Sequence, residues 1–186
     1  MDFDAINYFK NFEKAEFGEK SLKKHLRNKK ILCISTKLTS SEKTLGNFTN
    51  SEVNYISVPL LINGCNDGIA DEILKIICDE YFSCGDFSQY DLIFLASSGL
   101  HLKKDFFKKY FNDKGNNVEI FSNTDAILED YDYKKENYIR DYFYVTLSKK
   151  GFYSRAEKYL REKKVLKDGE ILNVSQLKKD NKKSPK

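Results

Sequence analysis

Apolar residues fall along this chain in short unbroken runs, each stopped by hydroxyls, amides or glycine. The clearest is Leu92-Ile93-Phe94-Leu95-Ala96, which ends abruptly in Ser97-Ser98-Gly99. A run of this kind reads as a strand buried on both faces, which requires helices above and below it. Lys29–Thr36 has the same character, with Ile31-Leu32-Cys33-Ile34 running into Ser35-Thr36. Val118-Glu119-Ile120-Phe121 is a shorter strand stopped by Ser122-Asn123-Thr124, and Asp141–Ser148 is another, centred on Tyr142–Leu147. Val53–Leu61 completes the set. Pro59 has no N–H for a ladder, so that strand ends there or lies at an edge.

Other segments carry helical spacing. Over 102–111, Leu102, Phe106, Phe107, Tyr110 and Phe111 share one face, with Lys103, Lys104, Lys108 and Lys109 between them. Over 70–82, Ile73, Leu74, Ile77, Cys78 and Tyr81 do the same, and Asp67 is the candidate cap. Ile6, Phe9 and Phe12 predict a helix over 4–15, broken by Gly18. A short basic helix is expected over 21–28 with Ser21 as cap, a partly helical stretch over 125–139, and a further helix over 152–163. Residues 37–52 hold Gly46, Asn47 and Asn50 and little periodicity. They are expected to form a long loop with at most two helical turns near 41–45. Residues 63–68 read as a turn-rich linker, and Asp168-Gly169 predicts a β-hairpin over 165–174.

Strands alternating with helices argue an α/β fold with right-handed crossovers. The expected architecture is three-layer, Rossmann-like or flavodoxin-like. It has a mostly parallel sheet, helices on both faces and a C-terminal β-hairpin. The expected organisation is an N-terminal helical extension over 1–28, one α/β domain over 29–176 and a disordered Lys-rich tail over 177–186.

Composition changes this picture little. A length of 186 residues suits one domain, and 14 Phe with 12 Tyr supply ample core material. A net charge of +4, from 32 basic and 28 acidic residues, is too close to balance to argue for nucleic acid. Cys33, Cys65, Cys78 and Cys84 form no Cys-x-x-Cys pair, and His25 and His101 complete no zinc-ligand spacing, so no metal site is expected. Reduced thiols point to the cytoplasm. Met1-Asp2-Phe3-Asp4 is acidic where a signal peptide is basic, and no run approaches the roughly 18 apolar residues of a membrane span, so no membrane partner is expected.

The chemistry lies in a coincidence of strand ends. Ser35-Thr36, Ser97-Ser98-Gly99, Ser122-Asn123-Thr124 and Thr146 with Ser148 all stand at carboxyl ends of predicted strands. In a parallel sheet these ends share one edge, where ligands of open α/β sheets bind. Hydroxyls and backbone N–H groups converging there suit a small anion, nucleotide-like or phosphate-like. Lys37, Lys43, His101, Lys149 and Lys150 are candidates to add positive charge. Each cluster taken alone also reads as a turn or a helix cap, since Ser, Thr and Asn favour both. The expected ligand-binding set is Ser35, Thr36, Ser97, Ser98, Gly99, Ser122, Asn123 and Thr124, with His101 as the candidate acid or base if the protein is an enzyme. Asp125 with Asp130 and Asp132 is a candidate carboxylate cluster for a cation, or a solvated acidic face. G-x-x-x-x-G-K-[ST], G-x-G-x-x-G and G-x-S-x-G are all absent, which argues against an ordinary P-loop or dinucleotide enzyme and leaves the cofactor unnamed.

Three stretches resemble known families. The series Ile31–Thr36, Val58–Leu61, Leu92–Ser98 and Thr124-Asp125-Ala126 resembles one half of a uroporphyrinogen-III synthase, with Gly99 where that family carries proline. The same layout is similar to flavodoxin-like proteins, where Thr36–Thr44 would hold the FMN phosphate. Tyr142–Phe152 resembles the last strand and helix of restriction-endonuclease-like domains, but Phe121 stands where that family's lysine belongs. No one of the three covers the chain with its motifs, and none is adopted. A rival function uses the basic C-terminal third, residues 142–186, as a nucleic-acid or protein-interaction module of degenerate nuclease-like type. Arg155, Lys158, Arg161, Lys163 and Lys164 would meet phosphates there.

Overall fold

The computed structural model describes residues 18–130, 142–145 and 170–173. Its contacts cluster in two compact units, 1–133 and 134–186, a division that falls inside the 29–176 span assigned above to one domain.

The first unit is built on a four-stranded sheet in the order β2-β1-β3-β4, all parallel: β1 Lys30–Ser35, β2 Glu52–Ser57, β3 Leu92–Leu95 and β4 Glu119–Ser122. The register sets Ile31 beside both Val53 and Leu92, and Leu95 beside Ser122. The chain runs from β1 outward to β2 and then returns across β1 to β3. The topological switch therefore lies between β1 and β3, as in doubly wound sheets of the flavodoxin order.

Alternation along β1 and β3 sorts their side chains into two cores. Leu32, Ile34, Ile93 and Leu95 face one side. They are covered by α4 (Pro59–Asp67), α5 (Asp71–Phe82), α6 (Ser98–His101) and α7 (Lys104–Asp113) through Leu61, Leu74, Phe82, Leu100, Phe107 and Phe111. Ile31, Cys33, Leu92 and Phe94 face the other. There α1 (Glu19–Leu26), α3 (Thr44–Thr49) and α8 (Asn123–Asp130) bring Leu22, Leu26, Leu45 and Ala126. Helices thus lie on both faces of a parallel α/β sheet, the three-layer architecture expected from the buried runs. Helix α1, placed above in an N-terminal extension, contributes Leu22 and Leu26 to this second core.

Several local expectations are corrected. The stretch 37–52 is no long loop: α2 (Lys37–Glu42) and α3 fill it. Thr36 caps α2, its side chain accepting from the Thr39 N–H, and Leu45 is fully buried, so burial supplies what periodicity lacks. The strand over 53–61 stops at Ser57, and Pro59 opens α4 at the first helical turn, where its missing N–H costs nothing. The expected linker over 63–68 is the second half of that helix; Gly68, at φ 61°, ends it in the left-handed conformation. Ala70, not Asp67, stands at the cap position of α5. On that helix Leu74, Cys78 and Phe82 are buried, whereas Ile73 is exposed. Ser21 is inside α1 rather than its cap; Gly18 holds that position at φ 83°.

Of the second unit, β5 (Tyr142–Val145) and β6 (Glu170–Asn173) are described, and they pair in parallel. The strand expected around Tyr142–Leu147 and the second arm of the expected hairpin are therefore present as strands. The arm over 165–168 lies outside the described residues, as do the helices over 4–15 and 152–163 and the tail. Among the described residues no helix is long and apolar enough to cross a membrane.

Candidate functional site

The strand ends of β1, β3 and β4 meet at one edge because the sheet is parallel. Their polar residues divide into those already engaged within the protein and those that are not.

On β1, Ser35 is fully buried and its Oγ lies 2.8 Å from Ser40 Oγ; Thr36 Oγ1 is occupied in capping α2. Both hold the turn into α2. Lys37 and Lys43, expected to lend charge, are exposed. After β3, Gly99 is buried so close to α4 that an added Cβ would fall 2.3 Å from Asn66 Oδ1, so any larger residue there would have to displace the Asn66 side chain. Ser97 precedes α6, and its carbonyl accepts from the N–H groups of Leu100 (3.1 Å) and His101 (3.3 Å). Its side chain makes no cap bond. Ser97 is only 2% exposed, and its hydroxyl has no hydrogen-bonding partner among the described residues. Ser98 beside it is exposed.

After β4, Ser122 and Asp125 cap α8 reciprocally. The Asp125 N–H donates to Ser122 Oγ at 3.1 Å, and the Ser122 N–H donates to Asp125 Oδ2 at 2.9 Å. This is a capping box with aspartate at the third helical position. Ser122 Oγ also donates to Asp125 Oδ2 at 2.8 Å and lies 2.8 Å from His101 Nδ1. Lys104 Nζ donates to the same Asp125 oxygen at 2.7 Å. Ser122 is fully buried and its hydroxyl is saturated by these neighbours. Asn123 follows at 1% exposure. Its Oδ1 accepts from Thr124 Oγ1 at 3.4 Å, and its amide NH2 has no partner among the described residues.

Electrostatics follow from this geometry. Burial lowers the pKa of His101; the Asp125 carboxylate opposes that, and the Lys104 ammonium reinforces it. Burial alone would raise Asp125, but the hydrogen bonds from Lys104 and Ser122 outweigh it and hold the carboxyl below its ordinary range. Asp125 is thus an ionised partner of Lys104 rather than part of a cation site. Asp130 instead accepts from the N–H of Ser21 at 3.1 Å, and Asp132 lies outside the described residues. Among the described residues no group of three His, Cys, Asp or Glu side chains is placed to hold a metal ion.

Sequence reasoning missed Lys104, since nothing in the chain links position 104 to position 125. The Ser-x-x-Asp spacing over 122–125 was the available signal for the capping box. A groove of about 450 Å³ lies elsewhere, between α5 and α7. None of the strand-end residues lines it, and its Asp71 and Asp79 are paired with Lys103 and Lys114.

No protein-family model matches the sequence, and no curated protein does. Solved structures do. Over 84% of this chain, a glutamate racemase isoform of Bacillus anthracis superposes with a TM-score of 0.64 at 17% identity. The glutamate racemase of Thermus thermophilus, solved with β-chloro-D-alanine, gives 0.64 at 14% identity over 85%. The chain spans about three fifths of the length of those two racemases, 61% and 60%. At such identities the likeness carries the fold, the α/β Rossmann-like arrangement described above. The basic residues Arg155, Lys158, Arg161, Lys163 and Lys164 and the cations Lys149 and Lys150 lie outside the described residues.

Proposed function

We propose that the carboxyl edge of the sheet binds a small anion, and that Ser97 and Asn123 are its principal contacts. One observation carries this reading. Two polar side chains at adjacent strand ends are buried, and neither the Ser97 hydroxyl nor the Asn123 amide NH2 has a partner among the described residues. A buried polar group left unsatisfied costs about 1–3 kcal/mol, so such a pair is a strong reason to expect a ligand there. The edge is also where open α/β sheets place their ligands, next to the switch between β1 and β3. Ser98 and Thr124 flank the pair, while Ser35, Thr36, Gly99 and Ser122 hold the turns that present it.

The ligand chemistry is an oxyanion that accepts from a hydroxyl and an amide, a carboxylate or a phosphate. The structural neighbours are glutamate racemases, and one was solved with β-chloro-D-alanine, so amino-acid carboxylates stand beside nucleotides among the first candidates. Four cysteines without a disulfide suit the reducing cytoplasm.

Thermal shift and calorimetry against D- and L-glutamate, aspartate, inorganic phosphate and nucleotides test the reading. One class should stabilise the wild type, by about 2.7 kcal/mol at 100 times its Kd. The double variant Ser97→Ala, Asn123→Ala should lose that effect by tenfold or more in affinity. Undiminished binding in a folded double variant refutes the site.

A further inference from the structure

We propose that His101 is the proton-transfer group of this edge, held in its Nδ1–H tautomer by Ser122 and Asp125 so that the Nε2 lone pair is left for a ligand. The inference rests on the binding reading above and adds a substrate class: a small anion that also carries an O–H or N–H, such as a hydroxy acid, an amino acid or a hydroxylated phosphate.

The protons available at Ser122 fix the tautomer. Ser122 Oγ lies 2.8 Å from both Asp125 Oδ2 and His101 Nδ1. A hydroxyl has one proton to give. The ionised Asp125 carboxylate has none, so the hydroxyl proton must go to Asp125, and the oxygen must accept from the imidazole. The opposite assignment would leave two oxygens 2.8 Å apart with no proton between them. Lys104, donating to Asp125 Oδ2 at 2.7 Å, keeps that carboxylate ionised and so keeps the assignment. With Nδ1 protonated, the neutral ring carries a lone pair on Nε2, and Nε2 has no hydrogen-bonding partner among the described residues.

Chain position sets His101 at the same strand ends as the unpartnered groups. The main-chain N–H of His101 donates to the Ser97 carbonyl at 3.3 Å, one helical turn away, and Ser122 is the chain neighbour of Asn123. The His101 side chain is 26% exposed, so the ring is reachable. In the step itself a proton passes from the ligand O–H or N–H to Nε2, and the electron pair stays on the ligand heteroatom. The imidazolium formed has Asp125 Oδ1 at 3.9 Å from Nδ1 to offset its charge, and the reverse step returns the proton. Ser122, Asp125 and Lys104 are positioning residues.

Long-range proton–nitrogen NMR of the full chain tests this, in an H25N background so that His101 supplies the only imidazole signals. At pH 7.5 the expected pattern is a neutral ring protonated on Nδ1. The S122A variant should move it toward the Nε2–H tautomer, and S122T should retain it. If S122A does not fold, D125N should likewise lose the exclusive Nδ1–H pattern. Saturating glutamate or phosphate, whichever binds, should shift the Nε2 resonance. An Nε2–H ring in the parent protein overturns the proposal, as does an unchanged pattern in folded S122A or an Nε2 signal that a bound probe does not move. The two readings fail separately. An Nε2–H ring alongside binding that depends on Ser97 and Asn123 removes the proton-transfer role alone. Binding indifferent to Ser97 and Asn123 removes the site on which that role depends.

Discussion

Individual side chains here are defined by what they lack as much as by what they touch. Ser97 and Ser122 are both buried serines at strand ends, yet the Ser122 hydroxyl is surrounded by partners and that of Ser97 has none among the described residues. The same contrast separates the cysteines. Cys33, Cys65 and Cys78 are buried, whereas Cys84 is exposed. Burial pushes the Cys65 thiol up to about 12 and raises that of Cys78 as well, so neither forms a reactive thiolate at neutral pH. A thiol reagent added to native protein at pH 8 should therefore modify Cys84 rapidly and the other three only after unfolding, and C84S should abolish the fast phase. Rapid labelling of Cys65 or Cys78 in the native state would show that the packing of α4 and α5 is wrong.

Elements hold one another through their ends. Helix α1 begins at Gly18, which has no side chain to cap it, and the cap comes instead from the far end of α8. The Asp130 carboxylate accepts from the N–H of Ser21 and, through a short contact, from its hydroxyl. It thus does for α1 what a local aspartate does at an ordinary N-cap, and it fixes α1 to α8 on the same face of the sheet. Asp130→Ala should cost about 1 kcal/mol, the usual worth of a lost N-cap, read as a lower urea midpoint with an unchanged slope. A midpoint unaltered within error would mean that α1 is held by the burial of Leu22 and Leu26 alone. The neighbouring pairs of Lys24 and His25 with Glu129, at 2.6 and 2.7 Å, are more exposed and should each matter less.

Across the whole unit, pH dependence sums these local arrangements. Asp125 and Asp130 are half-buried groups whose hydrogen bonds outweigh desolvation, and Asp79 and Glu129 are lowered chiefly by Lys114 and Lys24; all bind their proton more weakly folded than unfolded. Burial makes His101 behave likewise. For such groups the stabilisation is complete above the ordinary pKa and lost as pH falls through the folded one. Loss should therefore begin just below 6.5 with His101 and steepen near 3.8 with the aspartates. Tyr110 is the converse: burial and its hydrogen bond to Asp79 raise it, so its contribution is complete below 10 and lost above. Urea midpoints measured from pH 4 to 10 should be highest at neutral to mildly alkaline pH. H101N should remove the shallow decline between pH 6.5 and 5 while leaving the steeper acid loss. A wild-type midpoint that rises from pH 7 to pH 5, with H101N removing the rise, would contradict the sign assigned to His101.

The buried strands were legible because an unbroken apolar run such as Leu92–Ala96 is stable only between two covering layers, a requirement local to the run. The polar strand ends were legible for the same reason, since a buried strand must stop where polar groups reach the surface. Legible too was a parallel sheet that brings those ends to one edge. Short helices such as α2 and α3 were not, because six residues carry too little periodicity to be read and exist only because Leu45 and Thr39 are buried by the rest of the fold. Nor could spacing tell Ser97 from Ser122, or link Lys104 to Asp125 across the α7–α8 separation. The order of apolar and polar residues along the chain determined which residues stood at the edge; the tertiary structure decided which of them already had partners, because a hydrogen bond is satisfied by whatever the fold brings within about 3 Å.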